Sequence, residues 1–299
     1  MGGSGMSPER SAAHLSAVLP ALLAAQVDLG GDLRTETLAR ATHMSRTRFH
    51  SVFADTVGET VKQYTLRLRL ERAAFRLMSE STGVATIAFD LGFGSHEAFS
   101  RRFHSRFGRS PTEYRVTPPA GDDPRLLRRP GLEVTSSDLF LSDTRPVQLT
   151  ATPVVFRRHT GPYEDVDPHA FEQLAQWAGG RGIPCHGLLG ITHDAPGITE
   201  PDRLRFDVCA RVSGAVRGDP GTAFRVLPER WASSTWFSGP EHRLGEAVAA
   251  AYAASGALAG FTVIGLPLEE HYTDSRILTE GRIETLRILI PLAPIGPSP

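Results

Sequence analysis

Ser45-Arg-Thr-Arg-Phe49-His-Ser-Val-Phe53, closed by Gly58, and Ser95-His-Glu-Ala-Phe99-Ser-Arg-Arg-Phe103, closed by Gly108, are one device written twice, fifty residues apart. Serine opens each stretch, and its hydroxyl can satisfy an orphan amide of a helix's first turn. Phenylalanines four and eight residues on fall on a single helical face. A glycine then supplies the left-handed residue on which helices commonly end. Each stretch predicts a short amphipathic helix of about three turns.

What precedes each helix repeats as well. Thr35-Glu-Thr-Leu38-Ala39-Arg-Ala leads into the first, and Thr86-Ile87-Ala88-Phe-Asp-Leu91-Gly92-Phe93 into the second. An apolar residue followed by alanine lets the next helix cross closely at a steep angle. The pair is a helix-turn-helix pattern, whose second helix enters the DNA major groove. A longer helical pattern from Thr60 to Met78 joins the two units, with Tyr64, Leu68, Phe75 and Met78 near one face and Arg67, Arg69 and Arg72 interspersed. A solenoid is the competing architecture, but there are only two copies and the spacer differs from the repeat. The four phenylalanines point inward at their spacing and are expected core, not platforms for single strands.

Residues 33–115 resemble the AraC-type DNA-binding domain in Ala88, Gly92-Phe93, Phe99-x-x-x-Phe103 and the closing Phe107-Gly-Arg-Ser-Pro111-Thr-Glu-Tyr114-Arg115. The resemblance implies seven helices, two helix-turn-helix units bridged by a long helix. It also implies two recognition helices on one face of the duplex, one helical turn (about 34 Å) apart. Base contacts are expected from Arg46, Thr47, His50 and Ser51 in the first helix, and from His96, Glu97, Ser100 and Arg101 in the second. Arg101 leads this set, because a guanidinium pairs with guanine O6 and N7 through two hydrogen bonds. The first helix departs from the family pattern, since Thr47 and Ser51 stand where bulkier contacts often sit. Arg102, Arg106 and Arg109 are expected on phosphates, which orient without specifying. His14, His43 and His104 read as surface or capping residues.

The remaining chain frames this domain. Its 299 residues suggest two domains, and 40% hydrophobic with 22% charged residues fits globular cores, not disorder. The net charge of −1 hides +4 over residues 1–116, −1 over 117–146 and −4 over 147–299. A basic first third beside an acidic second half suggests an anionic partner for one part and another task for the other. No run of apolar residues is long enough to span a membrane, and no signal peptide is visible, so a cytoplasmic location is expected. Residues 1–5 read as a cloning remnant. Cys185 and Cys209 are too few for a disulfide scaffold, lack metal-type spacing and are expected in the core. No metal or cofactor is expected.

From Thr117 to Pro146 the texture becomes rich in proline and glycine, with one short ordered piece near Leu139–Leu141, and predicts a linker. After Val147 a strand, Gly-Pro, helix, strand, strand pattern occurs twice. The first copy reads Val147–Arg158, Gly161-Pro162-Tyr163, Pro168–Ala178, Gly187–Thr192 and Leu204–Val212. The second reads Trp231–Phe237, Gly239-Pro240, His242–Ala254, Phe261–Gly265, Glu269–Tyr272 and Glu284–Ile290. The fold class predicted is an all-α double helix-turn-helix domain (6–116), then an α+β domain (147–292) of two pseudo-symmetric β-α-β-β repeats with helices on one sheet face. Residues 293–299 form a tail.

The second half resembles the GyrI-like effector-binding domain in His159-Thr-Gly161-Pro162-Tyr163, Leu227-Pro228 ahead of Trp231-Ala, and Glu270-x-Tyr272. Such domains carry an aromatic-lined groove with a carboxylate between the repeats, and they often accept hydrophobic cationic or polycyclic molecules. The groove's chemistry stands independently: an anion among aromatics is costly to bury, and a ligand cation returns that cost. Glu270 is the candidate carboxylate, with Tyr272, Tyr163, Trp231 and Trp236 as candidate walls. Glu269 competes, but adjacent strand residues face opposite sides, and the i, i+2 spacing puts Glu270 on Tyr272's side.

The reading is a transcription regulator, not an enzyme: residues 1–116 bind promoter DNA and residues 147–292 sense a hydrophobic small molecule, with RNA polymerase allowed as a further partner. Two alternatives stand beside it. Some GyrI-like domains hydrolyse reactive drugs, with Glu270 and Tyr272 or Tyr163 as the acid–base pair. In the other, the groove docks a protein.

Overall fold

The computed structural model describes residues 8–117, 139–219, 221–240, 243–273 and 285–295. The expected remnant at 1–5, most of the 117–146 linker, residues 296–299 of the tail and the expected strand start at Glu284 lie outside the described residues. The chain divides into two compact units, one built on the helices before residue 117 and one on the strands after it.

In the first unit α1 (Pro8–Val27), α2 (Thr35–Ala41), α3 (Arg46–Val57), α4 (Val61–Ser79), α5 (Val84–Asp90), α6 (His96–Phe107) and α7 (Pro111–Val116) follow in order. The repeated signals act as written. Ser45 Oγ accepts from Arg48 N at 3.4 Å and Ser95 Oγ from Ala98 N at 3.1 Å. Gly58 and Gly108 are left-handed at φ 74° and 71° and close α3 and α6. Phe49, Phe53, Phe99 and Phe103 are fully buried. Phe53 meets Tyr64 of α4 edge-on at 5.5 Å, and Phe103 meets Tyr114 of α7 at 5.3 Å. Helix α1, which the sequence reading did not identify, adds Val18, Leu19, Ala21 and Leu22 to the core.

Two arginines of α4 do different work. Arg67 Nη2 lies 2.6 Å from Glu59 Oε1, its Nη1 lies 3.1 Å from Glu71 Oε2, and Arg106 of α6 approaches Glu71 at 3.7 Å. This largely buried chain of charges ties α6 and the turn after α3 to the bridging helix, and Arg106 approaches it from α6. Arg69 instead donates to three carbonyls, Leu29 O at 2.7 Å, Gly31 O at 3.1 Å and Gly92 O at 3.3 Å. Gly92 is the left-handed residue (φ 74°) of the second helix-turn-helix turn, and a Cβ there would lie 2.8 Å from Arg69 Nη2 and 2.9 Å from Gly30 O. Gly92→Ala therefore pays the left-handed penalty of about 1–2 kcal/mol and displaces the Arg69 bridge as well. Gly108→Ala, which meets nothing within 4 Å, pays only the first. Urea unfolding of both variants should show Gly92→Ala as the larger loss, and equal losses would remove Arg69 from this role.

The second unit runs β1 (Phe140–Leu141), β2 (Arg145–Leu149), β3 (Thr152–Thr160), α8 (Ala170–Gly179), β4 (Cys185–Thr192), β5 (Arg205–Val212), β6 (Ala223–Leu227), β7 (Arg230–Ser238), α9 (Leu244–Gly256), β8 (Phe261–Val263), β9 (Leu268–Tyr272) and β10 (Thr285–Pro294). Strand structure starts ahead of the expected Val147 boundary, and the expected Val147–Arg158 strand is broken between Leu149 and Thr152. Cys209 is buried, but Cys185 is exposed at the start of β4, which corrects the expectation of a core residue. The sheet order is β1-β7-β10-β9-β4-β5-β3-β6, with β2 also on β7 and β8 on β10. The triplets β7-β10-β9 and β4-β5-β3 are the two repeats, joined antiparallel at β9 and β4 with Glu270 opposite Gly190.

Both long helices cover one sheet face. Phe171 of α8 meets Tyr272 at 4.9 Å and Phe206 at 6.5 Å, and Ser255 of α9 bonds Ser233 of β7 at 2.6 Å. Cross-strand register places Tyr272, Glu270, Phe206 and Ser233 on that face. The opposite face carries Asp207, which is 0% exposed. Arg158 Nε and Nη2 reach it at 2.6 and 2.8 Å, His193 Nε2 at 2.8 Å and Arg225 Nη2 at 3.0 Å. Burial, outweighing the pull of Asp207 and aided by Arg158, holds His193 down at about 4 against an ordinary 6.5.

That depression has a definite sign. The unfolded ring takes its proton near pH 6.5, whereas the fold resists protonation until about 4. Stability is therefore whole above the first value and drains as pH falls toward the second, by on the order of 3 kcal/mol. The urea midpoint should fall across that window, and His193→Gln should flatten this part of the profile.

Candidate nucleic-acid interface and ligand cleft

Because the phenylalanines of α3 and α6 are spent on the core, the opposite helix faces are free to hold polar groups. Arg46, Thr47, His50 and Ser51 are exposed on α3, and His96, Glu97, Arg101 and Arg102 on α6, with Ser100 half-buried. Some are already engaged. Arg46 Nη1 pairs with Glu36 of α2 at 2.9 Å, and Ser51 Oγ lies 3.4 Å from Asp55. The Glu97 carboxylate is held below its ordinary pKa, first by a backbone N–H of the helix start and then by Ser95. It stays an anion able to accept from a base amine. The first helix-turn-helix turn is made by His43, left-handed at φ 55°, where the second unit uses Gly92. The two turns differ in length as well, four residues between α2 and α3 and five between α5 and α6.

In the second unit a cleft of about 170 Å³ opens on the helix-covered face. Tyr163, Leu204 and Phe206 come from the first repeat, and Leu244, Val248 and Glu270 from the second. Glu270 is 5% exposed and accepts a hydrogen bond from Tyr272 at 2.7 Å. Gly190 stands beside it on β4, and a Cβ there would come 2.4 Å from Phe206 Cζ and 3.2 Å from the Tyr272 hydroxyl. The bare backbone at Gly190 is what lets both rings close on the carboxylate. Tyr163 donates to Asp194 O at 2.8 Å. Burial first, and then the Asp194 charge, raise its phenol well above the usual value, so the ring is a neutral donor.

Of the sequence-derived wall residues, Tyr163 and Glu270 meet at the cleft and Tyr272 stands behind Glu270 as its donor. Trp231 and Trp236 do not line it. Trp231 shares the face but lies near the far end of β7, against Phe261 at 5.2 Å. Trp236 is on the opposite face, in register with Arg287, whose guanidinium lies 5.6 Å from its ring centre. Strand alternation excludes Trp236, five positions after Trp231 and so on the other face, while distance along β7 excludes Trp231. Glu269 faces away from the cleft and is bound by Arg230 at 2.7 and 2.6 Å and by His271 at 2.8 Å. Its carboxyl is held at about 2: burial alone would raise it, but His271 and then Arg230 pull it down. The sequence reading missed Phe206, Leu244 and Val248. A usable signal was Gly190, since a lone glycine inside a strand marks a close approach. Among the described residues no group of three or more His, Cys, Asp and Glu side chains is placed to hold a metal ion. No described helix is long and apolar enough to cross a membrane.

Comparison with known proteins matches both units. A family profile described as "Helix-turn-helix domain" matches residues 38–117, and one described as "GyrI-like small molecule binding domain" matches residues 143–293. The "RCS-specific HTH-type transcriptional activator RclR" of Escherichia coli (strain K12) is 36% identical over 98 residues, 32% of this chain and 34% of that one. "Regulatory protein SoxS" of Salmonella typhimurium is 31% identical over 83 residues, 28% of this chain and 78% of that one. The chain spans about a third of the length of the first curated relatives it matches. A solved structure of the EcmrR–DNA complex in EcmrR-RPo aligns with a TM-score of 0.43 and 16% identity, over 52% of this chain and 58% of that one.

Proposed function

The chain belongs to the AraC-type helix-turn-helix transcriptional regulators, with a GyrI-like small-molecule-binding domain as its C-terminal half, and from that premise we propose that α3 and α6 read duplex DNA while the cleft takes a hydrophobic cation. The observation that carries the effector class is Glu270, a nearly buried carboxylate at the floor of a cleft walled by Phe206, Leu204, Leu244 and Val248. An anion in such surroundings gains from a cation that arrives with its own apolar surface. A ligand bound only by the native fold raises its melting temperature. A thermal-shift screen pairing hydrophobic cations with neutral isosteres tests the class, and equal shifts from both would sink it.

On the DNA side, Arg101 supplies base recognition and Arg102 a phosphate contact. Arg101→Ala should weaken binding to a duplex selected from a random library by about 1–3 kcal/mol while leaving random duplex nearly untouched. Arg102→Ala should weaken both alike and reduce the salt slope by about one. Fluorescence anisotropy at several salt concentrations reads both, and unchanged discrimination in Arg101→Ala removes it from the reading set. Coupling between the activities is reciprocal: the factor by which ligand changes DNA affinity is the factor by which DNA changes ligand affinity.

A hydrolase is the rival reading of the same cleft. Against it, the protons of both tyrosines are already committed, Tyr163 to Asp194 O and Tyr272 to Glu270. Mass spectrometry of a bound ligand after long incubation separates the readings, because intact ligand after many equivalents excludes turnover of that compound.

A further inference from the structure

Thr192, the last residue of β4, stands one rung from the cleft carboxylate. Register fixes its place: Gly190 pairs with Glu270 of β9, and Thr192 pairs with Leu268 of β9 on one side and Phe206 of β5 on the other. Side chains two residues apart on a strand share a face. Thr192 and Glu270 are therefore diagonal neighbours on the helix-covered face, about 7–8 Å apart. Thr192, Phe206, Leu268 and Glu270 all line the cleft. The threonine is 5% exposed, and among the described residues its hydroxyl makes no hydrogen bond. Hydroxyls at similar depth on β7 are satisfied. Ser233 Oγ lies 2.6 Å from Ser255 Oγ, Ser234 Oγ accepts from Arg287 at 2.9 Å, and Thr235 Oγ1 lies 2.7 Å from Thr144 Oγ1.

Buried hydroxyls are hydrogen-bonded as a rule, and one left without a partner costs stability. A polar group entering the cleft would remove that cost at Thr192. The described lining residues say which kind: they include two carboxylates, Glu164 and Glu270, and no lysine, arginine or histidine. A guest suited to two anions is a cation, and the polar hydrogens of a cation are N–H donors. The threonine oxygen accepts such a donor as the carboxylate does. N–H···O bonds of about 2.7–3.2 Å on either side let one nitrogen bridge side chains on that diagonal. We propose that Thr192 is a second recognition point of the cleft, and that the ligand is a protonated primary or secondary amine giving one N–H to Glu270 and another to Thr192 Oγ1. The inference rests on the cation reading of Glu270 and narrows it to cations with at least two N–H bonds at the charged nitrogen.

The test titrates the full-length protein with three tricyclic compounds of one scaffold. One ends in a secondary ammonium with two N–H bonds, one in its N-methyl tertiary form with a single N–H, and one in a neutral methoxy group. Wild type should bind the secondary amine about tenfold more tightly than the tertiary one, the worth of one hydrogen bond from a charged donor. Thr192→Val keeps the side chain's shape and removes the acceptor, so the ratio should fall below about twofold. Thr192→Ala, a second variant without the hydroxyl, should lose the ratio too, and Thr192→Ser should preserve it. The ligands' own hydration is the same for every variant and cancels from the comparison, and valine leaves the room for the extra methyl unchanged. A wild-type ratio near one overturns the role of Thr192, as does a ratio that either hydroxyl-free variant keeps. If both cations still outbind the neutral compound in that event, the reading of Glu270 stands without Thr192. If neither cation outbinds it, the reading of Glu270 fails and this inference falls with it.

Discussion

Asp207→Asn is expected to lower the free energy of unfolding by about 3–5 kcal/mol, the loss typical of removing one partner from a buried ion pair. The carboxylate is 0% exposed and receives Arg158 at 2.6 and 2.8 Å, Arg225 at 3.0 Å and His193 at 2.8 Å. Its pKa lies well below the ordinary value: burial opposes ionisation, but Arg158 and His193 overcome that cost. An amide keeps the shape but leaves two guanidiniums in a largely dehydrated site with nothing to neutralise them. The damage should reach the cleft. His193 and Asp194 begin the β4–β5 connection, which supplies Pro196, Pro201 and Leu204 to the cleft, and Asp194 O holds Tyr163. Loosening Asp207 frees the start of that connection, so ligand affinity should fall with stability. Urea unfolding and ligand titration on one preparation check both. A stability loss below 1 kcal/mol would mean that water already reaches the arginines.

The legible and illegible parts of this protein divide along a physical line. Local chemistry was readable: a serine hydroxyl two turns before a buried phenylalanine, or a glycine at the end of a helix, dictates its neighbours' geometry within a few residues, and Ser45, Gly58, Ser95 and Gly108 behave accordingly. The face of Glu270 was readable for the same reason, since period-two alternation links it to Tyr272 and sets Glu269 opposite. Trp231 and Trp236 show where such reasoning stops. Choosing walls by residue type ignores register across four strands, which alone decides which aromatics meet. Phe206 reaches the cleft because β4 and β5 pair as they do and Gly190 leaves room. Helix α1 escaped because the run from Pro8 to Val27 contains Pro20, a residue that reads as a helix breaker.

Glu270→Gln is expected to weaken binding of a hydrophobic cation by about 2–5 kcal/mol, from roughly thirtyfold to several thousandfold, because one member of a desolvated, hydrogen-bonded charge pair is neutralised. A neutral isostere of the same shape should bind the variant as well as wild type, since the walls from Phe206, Leu204 and Val248 are untouched. The unliganded protein is the control for the fold. Glutamine still accepts the Tyr272 hydroxyl, now at 2.7 Å from Glu270. The variant's melting temperature in the absence of ligand reports what the substitution does to the fold alone. Isothermal titration with a cation and its neutral isostere, beside unfolding of the apo protein, gives all three numbers. Equal losses for both ligands would mean that the substitution deformed the cleft. Undiminished cation affinity would place the charge-recognising group somewhere other than Glu270, and with it the effector class proposed for this domain would fall.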